Sequence, residues 1–215
     1  MMGRWITMTG AGLVALAVGA CAAINPTAPN LYTLTPRAAV DPGAPRAEWQ
    51  LLVEAPVASG AIDTPRIAVA RSPTSIDYFA DVSWADRAPN MIHGLIVQSF
   101  EDSGRIVSVG RDTVGLRSDF VLKTDLRDFQ AEYATPTSAH PERVHVRMAA
   151  KLVAMPRRTI EAGETFEAVV PVRGRDFTDV VAAFNEALGQ VQNQLVDWTL
   201  RSGTSVFRPG AGRTG

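Results

Sequence analysis

The chain has 215 residues, a formal net charge of −1, 46% hydrophobic and 20% charged residues, and one cysteine. That length and apolar content suit a folded domain of ordinary size rather than a disordered chain. Near-zero charge with both signs interspersed excludes the electrostatic footprint of a nucleic-acid binder, and a lone cysteine excludes an intramolecular disulfide framework.

Arg4 precedes an apolar stretch from Ile6 to Val18, too short to span a bilayer and suited to the core of a signal peptide. It ends in Val18-Gly19-Ala20-Cys21. A branched apolar residue, two small residues and a cysteine resemble the bacterial lipoprotein box, in which the thiol is joined to diacylglycerol and the cysteine becomes the new amino terminus. On that reading residues 1–20 are a signal peptide, Cys21 is lipidated, and no thiol nucleophile remains. The alternatives are ordinary cleavage beside Ala20 or Ala22, with Cys21 incidental, and an uncleaved anchor. Acylation contributes about 0.8 kcal/mol per buried methylene, so two or three chains anchor the protein without spanning the membrane. Residues 21–30, with Pro26 and Pro29, read as a tether; Ala22 to Asn30 reach at most about 30 Å at roughly 3.3 Å per residue.

A single domain is expected over 31–201. Leu31 to Leu34 is a strand signal, Pro36 to Glu48 a loop, and Leu51 to Ala55 and Ile67 to Ala70 apolar runs suited to buried strands. Ile76 to Trp84 alternates imperfectly and is extended. Ile92, Leu95, Ile96 and Phe100 recur at three and four, which predicts a helix between Pro89 and Ser103, with Gly104 at its end and Ile106 to Val109 a strand beyond it. Phe120, Leu122 and Leu126 share one parity and Phe129, Ala131 and Tyr133 the other, so a bulge or change of face falls near Arg127-Asp128. Val144 to Leu152 and Phe166 to Val172 alternate cleanly, completing an antiparallel meander. Phe177, Val180, Val181, Phe184, Leu188, Val191, Leu195 and Trp198 then mark a long amphipathic helix. The expected fold is α+β, a mixed and largely antiparallel sheet under two amphipathic helices in the order β-β-β-β-α-β-β-β-β-α. Residues 202–215, rich in glycine and small polar side chains, are expected to be disordered.

Chemistry is sparse. His93, His140 and His145 have no partner at metal-ligand spacing and read as solvated surface. No nucleophile elbow, phosphate-binding glycine loop or zinc helix occurs, so no catalytic, metal or cofactor site is assigned. Asp125 and Asp128 are balanced by Lys123 and Arg127 along a strand. The aromatic and acidic run from Tyr78 to Asp86 stands out. Core packing of Phe79, Val82 and Trp84 is one account; a partner-facing role, with Tyr78, Asp81, Trp84 and Asp86 as contacts, is the other.

Taken in order, Cys21, Leu31-Tyr32-Thr33-Leu34, Arg66-Ile67-Ala68-Val69 before Arg71-Ser72-Pro73, Tyr78-Phe79-Ala80-Asp81 with Trp84-Ala85-Asp86, Asp119-Phe120-Val121-Leu122 and Ala182-Ala183-Phe184 to Trp198 resemble the ABC-type transport auxiliary lipoproteins of the PqiC type. That resemblance implies a non-enzymatic lipoprotein on the periplasmic face of the outer membrane, held by acyl chains on Cys21. Its implied partner is a mammalian-cell-entry (MCE) domain protein with its ABC permease and ATPase, which move lipid between inner and outer membranes; self-association into a homo-oligomer is a further candidate. Ala22 and Ala23 stand where an aspartate signals inner-membrane retention in some bacteria. No catalytic residue carries across. Two other functions stay open: a periplasmic lipid-binding carrier, with an apolar cavity between helix and sheet, and a lipoprotein activator of a cell-wall enzyme.

Overall fold

The computed structural model describes residues 28–35, 41–111 and 117–208. The signal peptide, Cys21, most of the tether and the last seven residues of the expected tail lie outside the described residues. The elements are β1 (Asn30–Tyr32), β2 (Ala47–Val53), β3 (Val57–Ala58), β4 (Arg66–Ser72), β5 (Ser75–Trp84), α1 (Ala88–Ser103), β6 (Ile106–Arg111), β7 (Phe120–Glu132), β8 (Arg143–Ala154), β9 (Thr159–Pro171) and α2 (Phe177–Val206). The expected α+β fold is the observed one, with the two-residue β3 added before α1.

β7 is the spine. Along one side it pairs antiparallel with β8 for its whole length, and β8 pairs likewise with β9. Along the other side three parallel partners follow in chain order: β2 beside Phe120 to Leu122, β3 beside Asp125 and Leu126, β4 beside Ala131 and Glu132. The sheet therefore divides beyond β7 into two wings, β2 with parallel β6 and β4 with antiparallel β5 and then parallel β1. The bulge anticipated near Arg127-Asp128 lies between Leu126 and Asp128 in the β7–β8 register. Arg127 is the extra residue, and it returns Phe129 and Ala131 to the face that Leu122 and Leu126 occupy.

Both helices cover that face. Leu122, Leu126, Phe129, Val144, Val146, Met148 and Leu152 meet Phe184, Leu188, Val191 and Leu195 of α2, all at most 1% exposed. Burying each large apolar side chain contributes about 1.5–3 kcal/mol. The rings of Trp84, Phe129 and Phe184 form a cluster with centroids 4.9 to 5.7 Å apart. α1 starts with Pro89 in its first turn and stops at Gly104, whose φ of 59° is left-handed and whose N–H donates to Glu101 O. At the start of α2 the Asp179 carboxylate accepts the Asp176 N–H at 3.0 Å, which also places a negative charge at the positive end of the helix.

Four expectations need correction. The loop assigned to Pro36–Glu48 ends earlier, because Ala47-Glu48-Trp49-Gln50-Leu51 alternates buried and exposed and opens β2. His93 is not solvated surface: it is 8% exposed, and its Nε2 lies 2.9 Å from Val53 O. Residues 202–206 are not disordered but form the last turn of α2. Trp49 holds that turn: its Nε1 donates to Thr204 Oγ1 at 3.3 Å and its ring lies flush on Gly203, where a methyl group would collide with Cζ2 and Cε2. Trp84, a candidate partner contact, is 1% exposed and belongs to the core.

Candidate functional site

The run from Tyr78 to Asp86 becomes intelligible once β5 is laid against β4. Between the pairs Arg66/Ser83 and Ala68/Tyr78, β5 carries residues 79–82 where β4 has Ile67 alone. This wide bulge puts Asp81 at φ 58°, a left-handed conformation that costs a non-glycine L-residue roughly 1–2 kcal/mol. It also turns Phe79 onto Phe177 at the start of α2, 5.0 Å between ring centroids, and Tyr32 meets the same ring at 5.0 Å. The aromatic half of the run thus docks β5 and β1 onto α2.

The polar half stays outside. Tyr78 is half-buried, its hydroxyl donating to Ala61 O at 3.1 Å and its ring lying 3.7 Å beneath the Arg66 guanidinium. Asp81 and Asp86 are exposed. Asp86 Oδ1 accepts from Asn90 Nδ2 at 3.3 Å, which holds a carboxylate just ahead of α1, and Arg87 pairs with Asp63 beside it. Of the four predicted contacts, Tyr78, Asp81 and Asp86 therefore reach solvent, while Trp84 is buried in the core.

A second polar assembly, absent from the sequence-based candidates, covers the wet face of β7, β8 and β9. Glu132 takes Arg143 Nε at 2.7 Å and faces His145 Nδ1 at 3.0 Å, His145 Nε2 faces Glu167 at 2.8 Å, and Arg147 donates to Asp128. Gln130 Nε2 bridges Asp128 and Glu132, 3.3 Å from each. Burial pushes the Glu132 carboxyl up, but the hydrogen bonds and charges of Arg143 and His145 outweigh it and hold the group below the usual 4.5. Alternation alone assigned His145 to a polar face; the cross-strand register that joins it to Glu132 and Glu167 has no local signal.

The pocket at the junction of β2, β6 and β7, lined by Gln50, Leu52, Ser108, Gly110, Arg111 and Arg117, holds about 10 Å³, the room of one water molecule. Among the described residues no group of three or more His, Cys, Asp or Glu side chains is arranged to hold a metal ion, and no helix is long and apolar enough to cross a membrane.

The fold has close relatives. The crystal structure of protein XCC0632 from Xanthomonas campestris superposes with a TM-score of 0.76 at 36% identity, over 82% of this chain and 97% of that one. A second crystal structure, of an uncharacterised protein, gives a TM-score of 0.61 at 13% identity over 79% of this chain and 97% of the other; at that identity it speaks to the fold alone. Protein bll6063 of Bradyrhizobium diazoefficiens is 26% identical over 174 residues, 79% of this chain but only 44% of that protein, so the chain spans less than half the length of this relative. A family model described as the ABC-type transport auxiliary lipoprotein component matches residues 32–196, from β1 to the last third of α2. The chain belongs to that family, and with it to the auxiliary lipoproteins of ABC-type transport in the cell envelope.

Proposed function

We propose that the mature protein is a non-enzymatic docking subunit, held at the periplasmic face of the outer membrane by acyl chains on Cys21, that fixes the outer end of an MCE-domain conduit driven by an ABC permease and ATPase. Phospholipid chains cannot cross an aqueous space unshielded, since each exposed methylene costs about 0.8 kcal/mol. A conduit between the membranes therefore needs a fixed outer end, and a tether of at most about 30 Å keeps this domain beside its membrane.

The observation that carries docking over carriage is the filled space between α2 and the sheet. A carrier needs an apolar cavity there; this space is occupied by Met148, Phe184, Leu188, Val191 and Leu195, each completely buried. Binding then falls to surface groups, and the exposed carboxylates of Asp81 and Asp86, with the outer edge of Tyr78, are the candidate contacts. Self-association is compatible with this role.

The test is crosslinking of the acylated protein in its native envelope, followed by purification and mass spectrometry of what is bound. Recovery of an MCE-domain protein with its permease and ATPase is the expected result, with labelled acyl chains found on Cys21. Bound phospholipid without protein partners would favour a carrier, and recovery of cell-wall synthases would replace the proposal with an activator.

A further inference from the structure

We infer that His145 is a proton-controlled clasp on the open edge of the sheet: it holds the Glu167 carboxylate down while the ring carries two N–H groups and releases it when only one remains. The His145 side chain is 17% exposed, with Nδ1 3.0 Å from Glu132 Oε1 and Nε2 2.8 Å from Glu167 Oε1. An ionised carboxylate only accepts, so both contacts are hydrogen bonds only when both ring nitrogens carry protons. A neutral ring keeps one N–H and turns a lone pair toward the other carboxylate, which makes that contact repulsive.

The two carboxylates are not equivalent, and the difference decides which contact opens. Glu132 is 16% exposed, accepts Arg143 Nε at 2.7 Å on its other oxygen, and is also bonded by Gln130. Glu167 is 52% exposed. Its directly opposite neighbour in register, Arg147, is already taken by Asp128. The charged groups around the ring are thus Glu132 and Asp128 from β7, Arg143 and Arg147 from β8, and Glu167 from β9. Each arginine has a β7 carboxylate, which leaves the imidazole as the group that holds Glu167. When the ring loses a proton, Nδ1–H stays on Glu132 and the Nε2 contact lets go. Among the described strands β9 pairs with β8 alone, so release presents a carboxylate along an edge open to a partner strand or a basic side chain.

The purified full chain, with ring-¹⁵N histidine and carboxyl-¹³C glutamate, tests this by NMR titration from about pH 5 to 8, where histidine changes charge. His145 is assigned as the ring signal lost in His145→Gln, and Glu167 as the carboxyl signal lost in Glu167→Gln. At the acid end both nitrogens of His145 are expected to be protonated. On raising the pH the proton should leave Nε2 while Nδ1 keeps its own, and the Glu167 carboxyl signal should move at the ring's midpoint. Glu167→Gln, at a half-exposed side chain that the fold does not need, should move the ring's midpoint to lower pH. Loss of the Nδ1 proton first, a Glu167 signal that does not respond to the ring, or an unchanged midpoint in Glu167→Gln would each overturn the clasp.

Discussion

The two faces of the β7–β8–β9 hairpin hold the same three strands in the same register by opposite chemistry. Toward the helices the pairs are largely apolar: Phe129 beside Val146 beside Ala168, Leu126 beside Met148 beside Phe166, with Thr124 beside Ala150 the polar exception. On the wet side the same strands are tied by Glu132 to His145 to Glu167 and by Asp128 to Arg147. The apolar face cannot be altered without leaving a void or a clash, whereas the charged face can exchange water for any member it loses. The first should carry stability and the second should carry condition-dependent behaviour.

The sharpest way to break that contrast is Phe184→Ala. Phe184 is wholly buried between the rings of Trp84 and Phe129, and truncation of such a side chain costs about 3–5 kcal/mol. A urea titration should show the midpoint falling by that equivalent; a loss below about 1 kcal/mol would mean that the cluster is not packed as described. Overpacking the same layer comes next. Gly203→Ala places a methyl group inside the Trp49 ring, and a forced shift of this kind costs about 1–3 kcal/mol. Trp49 fluorescence should change with it, since the ring is what must move.

These two sites also mark where the sequence is legible and where it stops being so. Phe184 belongs to a spacing of three and four that any helix on a core must show, and the stop at Gly104 and the bulge at Arg127 are equally local. The last turn of α2 is different. Ser202, Gly203, Thr204 and Ser205 are poor helix formers, and their helix exists because Trp49, 155 residues from Thr204, donates to it. His93 departs from expectation for a related reason, and the sequence leaves Trp84 open between core and contact: type and spacing give a face, but not which neighbour closes over it. The contacts of His145, at separations of 13 and 22 residues, depend on a register that only the paired strands define.

On the wet face the effects should be smaller and should depend on pH. Glu132 has its carboxyl pKa held below 4.5 in the fold. A group depressed on folding adds stability above its unfolded pKa, and that stability is lost as pH falls through the folded value. Glu132→Gln should therefore cost roughly 1 kcal/mol near neutrality, with the deficit against the native chain shrinking as pH drops below the ordinary carboxylate range. Thermal melts of both proteins across acid pH measure it, and a deficit that stays constant would place the role of Glu132 in packing rather than charge.

Asp81 stands apart from both faces and tests whether the β5 bulge serves the fold or a partner. Its φ of 58° suits glycine better than aspartate, and its exposed carboxylate has no part in the core. If the residue were there for stability, replacing it with glycine would destabilise the chain. The backbone instead favours Asp81→Gly, so the melting temperature should rise or stay level, within the equivalent of about 1 kcal/mol. On the proposed docking role, a carboxylate at this position is explained by what it meets outside the domain. Crosslinked recovery of the transport partner should fall in Asp81→Gly while the folded fraction does not. Unchanged recovery at unchanged stability would leave the bulge as a device for steering Phe79 onto α2, and would move the search for the contact to Asp86 and the outer edge of Tyr78.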